Sequence, residues 1–95
     1  ISTHALNPAI LKTVTFDPVK DFTPISLLAV VPNVMVVHPS FPAKTVQEVI
    51  AVLKADPGKY SYASSGVGTP LHLSGELFKS IGGVQMNHVP YRGAG

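Results

Sequence analysis

Tyr60-Ser61-Tyr62-Ala63-Ser64-Ser65-Gly66-Val67-Gly68-Thr69-Pro70-Leu71-His72-Leu73-Ser74-Gly75-Glu76-Leu77-Phe78 is the stretch from which the fold can be read. It opens on a short β-prone run, Tyr60 to Ser64, passes through a glycine-bearing turn and enters a helix. Thr69 has the chemistry of an N-cap, and Pro70 suits the first helical position, where its missing N–H costs nothing. The helix is expected to run through about Ser80, with Leu73, Leu77 and Ile81 as its core face and Phe78 alongside. Gly82-Gly83 then supplies the left-handed residue that ends it.

Upstream lies a second helix. Thr45-Val46-Gln47-Glu48 is a capping-box pattern, in which Thr and Glu satisfy reciprocal orphan N–H groups. Val46, Val49, Ile50 and Leu53 share one apolar face, and Asp56-Pro57-Gly58 stops the helix. Farther upstream, Ile25 to Val31 and Asn33 to Val37 are β-rich runs separated by Pro32. The second is short, β-branched and uniformly apolar, as expected of a strand buried on both faces. Downstream, Gln85 to Tyr91 reads as a further strand, closed by Pro90 and Arg92-Gly93. The order strand, helix, strand, helix, strand predicts an α/β fold: a mostly parallel sheet with right-handed crossovers and helices on both faces. Residues 1–24 read as irregular with one short helical turn at Asn7-Pro8-Ala9-Ile10-Leu11. Phe16-Asp17-Pro18 and Phe22-Thr23-Pro24 are turn or extended signals. This stretch is either a connector between two lobes or a disordered terminus.

Ninety-five residues accommodate one domain at most. The chain is 45% hydrophobic and 13% charged, with a net charge of +2. So little charge and so much apolar residue argue against an intrinsically disordered chain. The basic residues form no stripe, so no nucleic-acid partner is expected. With no cysteine there is no disulfide scaffold, thiol nucleophile or cysteine metal site. The most apolar window, 25–37, is short and broken by Pro32, too short to cross a bilayer as a helix. His4, His38, His72 and His88 are far apart, without an i, i+4 pair or a nearby acidic cluster, so neither metal nor cofactor is expected. The chain opens at Ile1 and stops at Arg92-Gly93-Ala94-Gly95, which suggests a piece of something longer, and missing targeting signals then carry little weight.

The segment Ser64 to Pro70 is where chemistry could sit. It follows a strand and opens a helix, at the carboxyl end of the sheet where α/β folds bind ligands. A helix start carries unpaired N–H groups and a partial positive charge, which together favour an anion. Ser64, Ser65 and Thr69 add hydroxyls, and Gly66 and Gly68 allow close backbone approach. No lysine follows, so the turn is not a P-loop, and Leu71 stands where a dinucleotide fingerprint needs glycine. A small carboxylate held by neutral donors fits best. The alternative is a turn that merely packs a helix on its strand. His72, in the first helical turn, either donates to a bound anion or orients that turn. His88 reads as a satisfied buried or edge residue. Ser64 or Ser65 with His72 or His88 could supply a nucleophile and base, but there is no G-x-S-x-G elbow and no evident orienting acid. An α/β hydrolase and a purely structural interaction domain therefore stand as rival readings.

Five motifs, taken in order, carry a resemblance. They are Phe16-Asp17-Pro18-Val19-Lys20-Asp21-Phe22-Thr23-Pro24-Ile25-Ser26, Val36-Val37-His38-Pro39-Ser40, Tyr62-Ala63-Ser64-Ser65-Gly66-Val67-Gly68-Thr69, His72-Leu73-Ser74-Gly75-Glu76-Leu77-Phe78 and His88-Val89-Pro90-Tyr91-Arg92-Gly93. The series resembles the Bug family of periplasmic solute receptors, the substrate-binding components of tripartite tricarboxylate transporters. The resemblance implies a type II periplasmic binding protein fold, with two α/β lobes, a cleft and a hinge. Residues 1–24 would be the end of the first lobe and a connector, and residues 25–95 the crossover and part of the second lobe. It implies a small carboxylate as ligand and membrane permease subunits as partners. It also implies a periplasmic location and no catalysis. The implied binding residues are Ser64, Ser65, Gly66, Gly68 and Thr69, with Ser2 and Thr3 from the opposite wall and Tyr91 at the cleft edge; His72 joins them from its place in the first turn of the helix. The glycine-rich loop that opens the first lobe in this family, and a later acidic position, have no counterpart here. Unpaired sheet edges would further favour self-association.

Overall fold

The computed structural model describes residues 2–95, with side chains from His4 onward. After a π-helical turn, Ser2–Leu6, come α1 (Asn7–Ile10), α2 (Val46–Ala55), β1 (Ser61–Ser64), α3 (Pro70–Gly82) and β2 (Asn87–Pro90). β1 and β2 pair in parallel, Ser61 opposite Asn87 and Ser64 opposite Pro90. Parallel neighbours need a crossover rather than a tight turn, and α3 supplies it. The chain is thus α/β with a parallel sheet.

Both helix starts form as their sequences dictate. Thr45 Oγ1 accepts the Glu48 N–H at 3.2 Å, and Glu48 Oε2 accepts the N–H of Thr45 at 3.3 Å and of Lys44 at 2.6 Å. Thr69 caps α3 with Pro70 behind it, and Gly83, at φ +62°, closes it in the left-handed conformation. The core gathers where α2 meets the chain on either side of the sheet: Ala43, Val49, Leu53 and Val84 are buried, ringed by Phe41, Ile50, Val52, Tyr60, Phe78 and Met86. Phe41 and Tyr60 meet edge to face, 5.1 Å apart. Val46, expected on this face, is instead half exposed.

Two further expectations need correction. Leu77 and Ile81 do not face the core; they are 60% and 79% exposed. The sheet side of α3 carries His72, Gly75, Glu76 and Phe78 instead. Tyr62 on β1 decides this, because its ring lies against Gly75 so closely that a Cβ there would stand 2.6 Å from Cζ. Helical spacing marks two stripes on α3, and the polar one fits over the ring. Leu73 and Leu77 turn the other way and line a shallow groove with Leu6, Pro70 and Ser74.

The runs Ile25 to Val31 and Asn33 to Val37 join no ladder among the described residues. Ile25 and Leu28 are 98% and 94% exposed. A strand exists through its neighbour's backbone, and neither run lies in register beside the outer edge of β1 or β2, whose ladder is formed by those two strands. Asn33 Nδ2 donates to Ser74 Oγ at 2.9 Å and ties this extended segment to α3. The third expected strand is shorter than read, Asn87–Pro90. α3 covers one face of the sheet; on the other, Ser61, Ala63, Asn87 and Val89 are exposed. No described helix is long and apolar enough to cross a membrane.

Candidate functional site

β1 ends at Ser64 and β2 at Pro90, so parallel pairing brings the chain after each strand to the same end of the sheet. Two hydrogen bonds join those exits. The Tyr91 N–H donates to the Ser64 carbonyl at 2.9 Å, and the Gly93 N–H to the Ser65 carbonyl at 3.1 Å.

The loop between β1 and α3 is held from inside by side chains. Gly66 and Gly68 take φ of +138° and +80°, where side chains are strained. Ser64 is buried, at 5% exposure. Its Oγ accepts the Gly66 N–H at 3.1 Å and lies 2.6 Å from His88 Nε2. Thr69 Oγ1 donates to the Gly66 carbonyl at 2.7 Å and accepts the His72 N–H at 3.4 Å. His72 Nδ1 accepts the Gly68 N–H at 3.0 Å. What remains is the Ser65 hydroxyl and the backbone N–H groups of Ser65 and Val67, for which no acceptor stands among the described residues. These are neutral donors beside a helix N-terminus, a setting suited to an anion.

Behind the loop stands a pile of rings. His72 and His88 stack at 4.0 Å and 12°, and His88 and Tyr62 at 5.0 Å and 26°. The Tyr62 hydroxyl donates to Glu76 Oε1 at 2.6 Å, and Lys79 Nζ reaches both carboxylate oxygens at 3.1 Å. Burial, then the Glu76 carboxylate, pushes the Tyr62 phenol well above its ordinary range. The Tyr62 hydrogen bond, then Lys79, holds the Glu76 carboxyl below its usual value. Burial, then the charge of His72, lowers the His88 imidazole.

Seven of the expected site residues therefore lie together: Ser64, Ser65, Gly66, Gly68, Thr69, His72 and Tyr91. They divide by task. Ser64, Thr69 and His72 spend side-chain polar atoms on the loop itself, Ser65 keeps its hydroxyl and N–H free, and Tyr91 contributes a backbone tie while the residue is 61% exposed. The side chains of Ser2 and Thr3 lie outside the described residues. The segment that follows them does run beside the loop: a Cβ on Gly68 would stand 3.9 Å from Ile10 Cδ1. The Tyr62, His88 and Glu76 network was not foreseen. Its signal was Gly75, a glycine inside a helix, where only a close neighbour explains the missing side chain.

The hydrolase reading finds no support. Ser64 and His88 do meet, but the Ser64 hydroxyl is buried and tied to Gly66. Glu76 engages Tyr62, Lys79 and His72 rather than His88. Among the described residues no cluster of three potential metal ligands occurs.

Comparison with known proteins gives a consistent picture. The family described as "Tripartite tricarboxylate transporter family receptor" matches residues 1–95. A UPF0065 protein from the gbd 5′ region of Cupriavidus necator is 46% identical over 80 residues, 84% of this chain and 24% of that protein. BugT of Bordetella pertussis is 31% identical over 91 residues, 96% of this chain and 28% of its own length. A solved periplasmic transporter superposes with a TM-score of 0.88 at 49% identity, covering 99% of this chain and 32% of that one. The R. palustris protein Rpa4515, solved with adipate, gives 0.83 at 39% identity, covering 97% and 31%. The chain thus spans about a third or less of the proteins it matches.

Proposed function

The chain belongs to the tripartite tricarboxylate transporter receptor family, and from that premise we propose that it serves a periplasmic solute receptor by providing one wall of a carboxylate-binding cleft. The observation that carries the proposal is the loop between β1 and α3. Its donors at Ser65 and Val67 stay free while the Ser64, Thr69 and His72 side chains are spent on holding it in shape. Neutral donors beside a helix N-terminus hold an anion without the desolvation cost of a buried lysine. A dicarboxylate is the class of ligand to try first, since a relative of the same fold is solved with adipate.

In this reading Ser64, Gly66, Gly68, Thr69 and His72 shape the loop, Ser65 contacts the ligand, and Tyr91 edges the cleft. Ser2 and Thr3 would contribute from the facing wall. Residues 1–24 would close a first lobe and connect it to the second, built by residues 25–95. Ligand touching both walls would favour closure, because a ligand shifts a conformational equilibrium only through differential contact. Membrane permease subunits would receive the solute, and no covalent step is required.

The test is calorimetric titration of the whole receptor that contains this chain with di- and tricarboxylates. Wild type should bind at least one of them. Ser65→Ala should weaken that ligand by roughly tenfold, the order expected for one hydrogen bond to a charged group. Failure to bind any carboxylate would sink the proposal, and turnover of an ester would favour a hydrolase.

A further inference from the structure

One of the ties that shape the loop depends on which ring nitrogen of a histidine carries the proton. His72 Nδ1 accepts the Gly68 N–H at 3.0 Å. An accepting nitrogen is bare, so the neutral ring keeps its hydrogen on Nε2, which stands 3.9 Å from Glu76 Oε1. A second proton can enter only at Nδ1. That turns the acceptor into a donor facing the Gly68 N–H, and the tie between loop and helix is lost.

The surroundings leave the ring little freedom to escape. The His88 ring from β2 lies flat against it at 4.0 Å. Tyr62 from β1 stacks on His88 and points its hydroxyl at the His72 carbonyl, 3.3 Å away. On α3 itself, the Glu76 carboxylate faces the ring at 3.9 Å, and the Lys79 ammonium lies on the far side of that carboxylate. Ser64, on the loop side, touches His88 rather than His72. The ring is also largely buried, its side chain 19% exposed.

We infer that His72 is a positioning residue: as a neutral imidazole it pins Gly68 so that the free donors at Ser65 and Val67 hold their arrangement, and its protonation unpins the loop and releases the carboxylate. The ligand half of this inference rests on the receptor reading, whereas the tie between His72 and Gly68 belongs to the loop with or without ligand.

Asparagine and glutamine separate the possibilities. Asn places an oxygen where Nδ1 stands, accepts a hydrogen bond and does not titrate; Gln reaches the position of Nε2. Affinity for the doubly ionised form of adipate, corrected for the ligand's own titration, is measured across about pH 8 to 5, the span in which histidine changes charge. Alongside it, nitrogen NMR of the ligand-free protein follows the His72 ring and the Gly68 amide. Wild type should lose affinity as pH falls through the midpoint of one linked proton and level off about tenfold weaker, near the His72→Gln protein. His72→Asn should bind within about threefold of wild type at the alkaline end, with a flat profile, whereas His72→Gln should be weaker by roughly tenfold at every pH. The Gly68 amide should titrate with the ring at that same midpoint. A His72→Asn protein that keeps the wild-type pH profile overturns the inference, as does a Gly68 amide that ignores the His72 titration. A wild type that binds no di- or tricarboxylate at any pH overturns the receptor reading and the ligand half with it; the Gly68 titration then decides the loop half by itself.

Discussion

Replacing Gly75 with alanine sets two effects of known size against each other. Alanine is the better helix former by about 1 kcal/mol in a helix interior, so on propensity alone Gly75→Ala stabilises α3. Packing says the reverse. The new Cβ would stand 2.6 Å from Tyr62 Cζ and 2.9 Å from Cδ2, well inside the roughly 3.5–4.0 Å at which carbon atoms rest. The ring cannot step back freely, because His88 stacks on it and its hydroxyl is bonded to Glu76 at 2.6 Å. Overpacking of this kind costs about 1–3 kcal/mol, and straining a hydrogen bond to a charged acceptor adds about 1 more. The balance is a net loss of about 2 kcal/mol, roughly 8–16 °C in melting temperature for a chain of this size. Urea denaturation followed by circular dichroism measures it directly. The same substitution in a Tyr62→Ala background, where the ring is gone, should change sign and stabilise by about 1 kcal/mol. A single Gly75→Ala protein more stable than wild type would refute the close approach of α3 to β1.

Three other outcomes are expected. His88 takes a proton less readily folded than unfolded, so its contribution to stability is full above the ordinary imidazole range and falls as pH drops through that range toward the lower folded value. Glu76, held low by Tyr62 and Lys79, adds a second loss farther down, in the carboxylate range. Thermal melts across about pH 8 to 3 should show both steps, and His88→Gln should shrink the first; a flat wild-type curve would contradict this. Thr45→Ala should cost about 1 kcal/mol by opening the α2 cap, while Thr45→Ser should cost far less, and urea titration distinguishes them. The exposed apolar run from Ile25 to Val37 and the two open edges of the sheet should make the chain self-associate. Light scattering that shows a monomer at high concentration would count against it.

Both long helices were legible because their ends are local affairs. Thr45 with Glu48, and Thr69 with Pro70, satisfy backbone groups a few residues away, whatever the rest of the chain does. The loop was legible for the same reason, being a strand exit followed by glycines and a cap. What could not be read was anything set by a distant partner. Asn33 to Val37 has the composition of a buried strand, yet a strand is defined by the backbone beside it, and none of the described residues takes that place. The buried side of α3 was misassigned because apolar Leu73, Leu77 and Ile81 and polar His72, Glu76 and Lys79 follow similar helical spacing. Only the Tyr62 ring, brought in by the parallel register, selects between them. His88 looked like a bland strand residue because its partners come from β1 and α3.

The parallel register has a consequence for the order in which the molecule is made. Ser64 and Ser65 receive their second anchor from Tyr91 and Gly93, more than two dozen positions later in the chain. Closing a segment of that length costs chain entropy that nothing local repays in advance. On the ribosome, the caps of α2 and α3 need only residues already emerged, but the loop between β1 and α3 stays half-anchored until residue 93 has left the exit tunnel. That loop would therefore be completed after both helices, and a chain stalled before residue 93 would hold its helix caps while lacking a finished loop.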